Sequence, residues 1–448
     1  MRVGWDRATD KFGIEQFAGV VGHCSSWARA GCFGGLLLGA IILIPARTAA
    51  AEAATNRAGA GSVLSNPPTA TNGAQAKVIA GVAKVYDRSI LHRINIEIPA
   101  ALVSQIPRRT DTRVSCTFTF DGVVLTNVGV RQAGGTAHPY KPINDKPTLS
   151  IKFDEFVKGQ DLFDLDKIVL KNELQDLSLV NEHMTYEIFR RAGIAAPMTA
   201  HAIVTINGYL NGIYLMREPI NKQFLLRNFG KGFEQGNLYE EDLTTGDIIQ
   251  NPARADLKNE QVDSRNRADL FAMANALGSA TPANFVATMA PRFDLDRYLT
   301  YYAVEAVTSY FDGFSMHHNN SYLYDHPKDG RFIVIPQGAD ESFWATGTPI
   351  TRIQSPLQPP GSAIARQLRA VPALEARFEA EVRRIGSAPV WDQQVLSDRL
   401  AQVSKIFATA PKVGRTAADL SSFQRYLPIV ETFIRAGGTS KGTVGLPR

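Results

Sequence analysis

The chain has 448 residues, 44% of them hydrophobic and 20% charged, with a formal net charge of +5. This is the composition of a folded protein long enough for one large domain or two ordinary ones, without a disorder signature. So small a surplus, with no dense run of Lys or Arg, gives no nucleic-acid-binding surface.

At the N-terminus Arg29 precedes an apolar run, Phe33 to Pro45, that leads into small residues. A basic flank, a short apolar core and small residues at the exit describe a secretory signal peptide over residues 1–51, or an N-terminal anchor if the segment is retained. Export to the periplasm, cell envelope or medium is therefore expected. The run is too short for a comfortable membrane span, so no integral membrane domain is expected beyond that anchor. Cys24 and Cys32 lie in this segment. Cys116 is left alone in an alternating strand as a buried apolar filler, which allows no intramolecular disulfide and no cysteine metal cluster. Residues 52–85, rich in Ala, Gly, Asn, Thr and Ser, read as a flexible linker.

Alternation of Ile94, Ile96 and Ile98, and of Val114, Cys116, Phe118 and Phe120, predicts half-buried strands over 91–98 and 113–120. The Asp121-Gly122 turn leads to a third over 123–131. Gly134 and Gly135 follow in the next loop. Their backbone could approach a ligand and cradle phosphate, or simply turn the chain. Lys152 falls in a strand over 148–153, able to reach phosphates beneath that loop or to lie on a solvated face. After a strand over 166–172, Ser178 is placed to cap a helix to about Ala192. Val180, Met184 and Ile188 form its core stripe; Glu182 lies off the stripe, placed to meet Lys152 or solvent. Strands over 202–206 and 213–217 form a hairpin about Asn207-Gly208 and leave through Glu218-Pro219. Residues 233–239 read as irregular and 241–266 as a loop between lobes. Helices are expected over 267–277, 282–290, 295–311, 362–384, 391–410 and 418–435, with a loose tail from Gly437.

Between those helices lies a predicted hairpin, Ser321–Tyr324 against Phe332–Ile335, turned at Asp329-Gly330. It brings Asp312, Asn320 and Asp340 to one end. Two carboxylates and an amide oxygen there make a hard-oxygen site of the kind that holds Mg²⁺ against a phosphate, although the same residue types are common turn punctuation. The order acid, Asn, then acid after a strand pair is also that of phosphoryl-transfer sites.

With these residues the chain resembles the CotH-type (spore-coat) kinase family over about residues 88–435. The resemblance is carried by Gly129–Thr136, Lys146–Asp154, Leu170–Arg191, Val204–Gly208 with Gly212–Pro219, Gly236–Glu240, and Asp312-Gly with Asn319–Tyr324 and Pro336–Asp340. It implies an α+β, two-lobed protein-kinase-like fold. A β-rich N-lobe with one prominent helix would span 86–240, a mainly helical C-lobe 241–436, and a loose tail 437–448. It also implies transfer of the ATP γ-phosphate, with Mg²⁺ or Mn²⁺, to Ser/Thr of an envelope or secreted protein. Asp312 would orient the acceptor hydroxyl, and Asp340, Asn320 and Asn319 would ligate metal. Lys152 would touch the α/β-phosphates with Glu182 as its partner. Gly134 and Gly135 would lie over the triphosphate, and Met216–Glu218 would line the adenine. Many members carry an aromatic residue and an acid where this chain has Gln337 and Gly338, which leaves metal binding there to Asp340. A nucleotidyl or acyl transferase on the same fold, and a catalytically silent surface or assembly module, are the rival readings. The joint presence of Asp312, Asn320, Asp340 and Lys152 speaks against the silent module.

Overall fold

A computed structural model describes residues 73–106, 112–134, 140–241, 246–258, 267–343 and 360–438. The predicted signal or anchor segment 1–51, with Cys24 and Cys32, lies outside the described residues, as does 439–448. Seven strands with alternating apolar residues build a barrel: β1 (His92–Glu97), β2 (Val114–Phe120), β3 (Val123–Gln132), β4 (Leu149–Lys152), β5 (Lys167–Lys171), β6 (Thr199–Ile206) and β7 (Tyr209–Arg217). Their order is β1-β2-β3-β4-β5-β7-β6, and the parallel pairing of β1 with β6 closes the ring. Ile96, Phe118, Val130, Ile151, Leu170 and Met216 fill its interior. Each such side chain contributes roughly 1.5–3 kcal/mol when fully buried. Cys116 is among them, and burial pushes its thiol up to about 12.

Residues 73–85 are not a linker. Gly73–Val85 form helix α1, which buries Val78, Val82 and Val85 in the barrel core. Its Ala and Gly content resembles linker composition, but alanine is the best helix former and the apolar residues recur on one face. A short helix, α2 (Ala100–Val103), follows β1, and α3 (Asn181–Arg191) joins β5 to β6. Ser178 does not cap α3. The Asp176 carboxylate accepts from the Asn181 amide at 2.6 Å and from the Ser178 amide at 2.8 Å, doing that work from further upstream. Val180, Met184 and Ile188 are buried as their spacing requires, but in the helical core rather than the barrel.

Beyond β7 comes α4 (Lys222–Phe229), which the sequence reading missed; its N-cap Asn221 accepts from the amides of Gln223 and Phe224. Strands β8 (Leu238–Glu241) and β9 (Asp256–Leu257) lie in the stretches read as irregular piece and loop. After α5 (Ala268–Ser279), α6 (Phe285–Met289), α7 (Leu295–Thr308) and α8 (Phe314–His317) comes the predicted hairpin, β10 (Ser321–His326) with β11 (Arg331–Pro336). Its register runs from Ser321↔Pro336 to His326↔Arg331, and it extends into a four-stranded sheet, β11-β10-β8-β9. The chain continues through α9 (Ala363–Arg369), α10 (Pro372–Ile385), α11 (Gln393–Phe407) and α12 (Gly414–Ala436). The helix expected over 362–384 breaks before Pro372, whose missing N–H suits the first turn of a new helix and not the interior of an old one. Tyr298, Tyr301, Phe314, Phe378 and Trp391 anchor the helical core. The whole is a mixed α+β fold, and among the described residues no helix is long and apolar enough to cross a membrane.

Candidate active site

Along β5, Ile168 and Leu170 point into the barrel, so Lys167, Val169 and Lys171 face outward. Lys171 ends the strand, and the segment that follows leads into α3. There its Nζ lies 3.1 Å from Glu182 Oε2 and 3.4 Å from Asp340 Oδ1. Burial pulls this ammonium down, but Asp340 and then Glu182 outweigh it and hold it above the ordinary lysine range. Burial raises Glu182, yet Lys171 and Arg217 reverse that, so it is held below its usual value. Arg217 Nη1 stands 3.4 Å from Glu182 Oε1, and the Tyr186 hydroxyl donates to the same oxygen at 2.6 Å.

The acidic loop after β11 is held from two sides. Tyr186 accepts the Gly338 amide at 2.9 Å, and Asn181 Nδ2 donates to the Asp340 carbonyl at 2.9 Å. From the other side the Tyr310 hydroxyl donates to the carbonyls of Asn320 and Gln337, and the Gln337 amide donates to Asn320 O at 2.9 Å. Gly338 adopts φ 63°, and a Cβ there would stand 2.6 Å from Asn320 Oδ1, so backbone and side chain meet where only glycine fits. Two residues on, Asp340 is buried, and its Oδ2 makes no hydrogen bond.

Asp312 lies at the mouth of the turn before α8. Asn319 Nδ2 donates to its Oδ1 at 2.8 Å, and Asn320 Nδ2 donates to its Oδ2 at 2.7 Å. Burial pushes Asp312 up to about 6, against the Asn319 hydrogen bond and with help from Glu341 and Asp340. Behind the turn, the Ser315 amide donates to Glu305 Oε2 at 3.2 Å, and burial pushes Glu305 up to about 8.

Asp312, Asn319, Asn320, Asp340 and Glu182 are thus brought into one neighbourhood, but Lys152 is not the partner of Glu182. Register sets Lys152 opposite Lys167, four residues from Lys171 along β5. Its Nζ pairs with Glu155 at 3.3 Å on a face one-third exposed. Gly134 has φ 139° at the exit of β3, and Gly135 lies outside the described residues. That loop is closed at its base by the Gln132 side chain, which accepts the Lys141 amide at 2.9 Å. Met216 points into the barrel core, and the Glu218 carboxylate is held by Arg227 at 2.6 and 2.8 Å, so neither of these hinge side chains turns to Lys171. The residue between them, Arg217, does. Sequence reasoning missed Lys171, Arg217, Tyr186 and Tyr310. The outward parity of Lys171 on the strand that feeds α3 was the available signal; the tyrosines gave none. It also missed Glu173, which is buried with neither carboxylate oxygen hydrogen-bonded and is pushed well above its ordinary value by burial and by Glu182.

No three His, Cys, Asp or Glu residues form a ready metal cage among the described residues. A hard cation bound against phosphate needs only one or two protein carboxylates, with substrate oxygens and water supplying the rest. The orphaned Asp340 Oδ2 fits that requirement.

A family model described as CotH kinase protein matches residues 131–417. The inner spore coat protein H of Bacillus subtilis is 25% identical over 185 residues, 40% of this chain and 50% of that protein. The chain therefore spans about half the length of this curated relative. Two solved structures also overlap it. One is a Shewanella oneidensis toxin–antitoxin complex of HipA, HipB and operator DNA (12% identity, 78% of this chain and 70% of the other, TM-score 0.28). The second is the Helicobacter pylori proinflammatory kinase CtkA (7% identity, 66% and 92%, TM-score 0.31).

Proposed function

The chain belongs to the CotH kinase protein family, and we propose that it is an ATP- and Mg²⁺-dependent protein kinase, transferring the γ-phosphate to Ser or Thr of an envelope or secreted protein. The observation that carries this reading is the buried Lys171–Glu182–Asp340 cluster beside Asp312. On this reading the barrel with α3 serves as the N-lobe, the helical remainder is the C-lobe, and the N-terminal segment directs export. The coat location in the relative's name favours an acceptor in an outer layer.

Phosphoryl transfer asks a protein mainly to position groups and to neutralise developing negative charge. Lys171, kept charged by its two acids, meets non-bridging phosphate oxygens. Asp340 Oδ2, with the amide oxygens of Asn320 and Asn319, would hold the metal, which supplies further charge neutralisation when bound. Asp312, whose carboxyl is ionised at neutral pH, accepts the proton of the acceptor hydroxyl. Gly134 and Gly135 belong to the loop that would cover the phosphates. The backbone at Met216–Glu218 remains the proposed adenine edge, although the Met216 and Glu218 side chains are engaged elsewhere.

The test is incubation of the chain with γ-labelled and, separately, α-labelled ATP, Mg²⁺ or Mn²⁺, and casein, with Asp340→Ala in parallel. Label from the γ position alone, lost in the variant, is the expected result. Label from the α position would establish nucleotidyl transfer instead. Absence of label from a protein that binds no nucleotide would establish the silent module.

A further inference from the structure

The loop that carries Asp340 is fixed at both ends to the helical part of the fold. At one end the Gln337 amide donates to Asn320 O at 2.9 Å, and at the other the Phe343 amide donates to Thr308 O at 2.8 Å. Between these points the loop is tied to the stretch that runs from Lys171 into α3. Gln175 Nε2 donates to Glu341 Oε1 at 2.6 Å, Asn181 Nδ2 to Asp340 O at 2.9 Å, and the Gly338 amide to the Tyr186 hydroxyl at 2.9 Å. Lys171 Nζ, 3.4 Å from Asp340 Oδ1, adds a further tie.

Tyr186 is fully buried, and its hydroxyl makes two of these contacts at once. Its single proton goes to Glu182 Oε1 at 2.6 Å, so the Gly338 N–H meets a lone pair of the same oxygen. Glu182 and Tyr186 stand four residues apart on α3 and therefore share a face. The other oxygen of Glu182 lies 3.1 Å from Lys171 Nζ. One hydroxyl thus joins the acid that holds the site lysine to the backbone of the loop that holds Asp340. A shift of α3 that parts Glu182 from Lys171 also withdraws Tyr186 from Gly338, and leaves a buried amide without a partner.

We propose that Tyr186 is a positioning residue for Asp340. It holds the loop, and with it the unpartnered Oδ2, ready for metal while α3 is seated on Lys171, so that phosphate at Lys171 and metal at Asp340 strengthen one another's binding. Linkage makes that strengthening equal in both directions. The proposal rests on the reading of Lys171 and Asp340 as the phosphate and metal contacts of a kinase. Asn181 shares the task through the Asp340 carbonyl. Without the Tyr186 hydroxyl the Gly338 amide is unpaired in a buried place, the loop populates released arrangements, and metal finds its site in the held fraction alone. Glu182 keeps Lys171 and Arg217 in that case, so the phosphate contact itself stays in place.

The experiment titrates an unhydrolysable ATP analogue into the full chain and into Tyr186→Phe, with and without Mg²⁺, and follows amide hydrogen exchange in the segment around Gly338. The variant keeps the metal-free affinity of wild type, loses about ten-fold of the gain that Mg²⁺ brings, and exchanges faster at residues 337–341. A merely structural loss weakens both titrations alike, and that result overturns the proposal. So does the full Mg²⁺ gain in a folded variant. If Tyr186→Phe fails to fold, as judged by circular dichroism, Asn181→Ala takes its place with the same outcomes. If wild type binds no nucleotide, the kinase reading falls and exchange alone decides: acceleration confined to residues 337–341 upholds the role of Tyr186, and unchanged exchange overturns it.

Discussion

Replacing Lys171 with methionine, beside the matching replacement of Lys152, separates the lysine the structure places in the site from the one the sequence suggested. The Lys171 side chain is 11% exposed, against 0% for Glu182 and 6% for Asp340. Removing one partner from a buried ion pair costs about 3–5 kcal/mol, because a charge is left buried and unpaired. Glu182 keeps Arg217 and Tyr186, so the lower end applies, with Asp340 bearing most of the loss. Lys152 is 33% exposed and its partner Glu155 29%. Exposed pairs of this kind are worth about 0–1 kcal/mol. Lys171→Met should therefore be less stable than Lys152→Met by about 2–3 kcal/mol, or roughly 1 M in urea midpoint at a slope near 3 kcal/mol/M. Urea titrations followed by tryptophan fluorescence measure this, and Mg-ATP titrations of both variants should show binding lost only at Lys171. Equal midpoints, or nucleotide binding lost at Lys152 and kept at Lys171, would refute the reasoning.

Three further outcomes are expected. Asp312→Asn keeps one oxygen to accept from Asn319, while Asn320 retains the residue's backbone carbonyl as an acceptor; it should hold ATP near the wild-type affinity, while turnover falls about 10²–10⁴-fold as a general base is lost; equal turnover in a labelled-ATP assay would remove Asp312 from the chemistry. Gly338→Ala meets both a left-handed backbone, a penalty of about 1–2 kcal/mol, and the Asn320 side chain; it should lower the melting temperature and abolish transfer, and an unchanged enzyme would mean that loop is not held as described. Glu305 has a folded-state pKa raised from 4.5 to about 8, so its contribution to stability is fully present below 4.5 and lost as pH rises through about 8, at up to about 1.4 kcal/mol per pH unit. Glu305→Gln cannot ionise and should gain on wild type between pH 5 and 8.5 in thermal melts; parallel curves would show that Glu305 is charged throughout.

The sequence by itself determined the elements whose pattern is local. Alternation in Ile94–Ile98 and Val114–Phe120 settled the barrel strands, and the four-residue spacing of Val180, Met184 and Ile188 settled α3. Asp329-Gly330 placed the hairpin that draws Asp312, Asn320 and Asp340 to one end. Patterns of this kind depend on neighbours a few residues apart, so they are legible in one dimension. Which lysine meets Glu182 is decided by register. Lys152 and Lys171 share the outward face of adjacent strands, but pairing Lys152 with Lys167 sends one to each end of the sheet. The hydroxyls of Tyr186, on α3, and Tyr310, just past the C-terminus of α7, hold the Asp340 loop although both lie far from it in sequence. Only packing α3 and the end of α7 around that loop brings them there, because the helical core is filled by side chains whose separations along the chain carry no periodic trace.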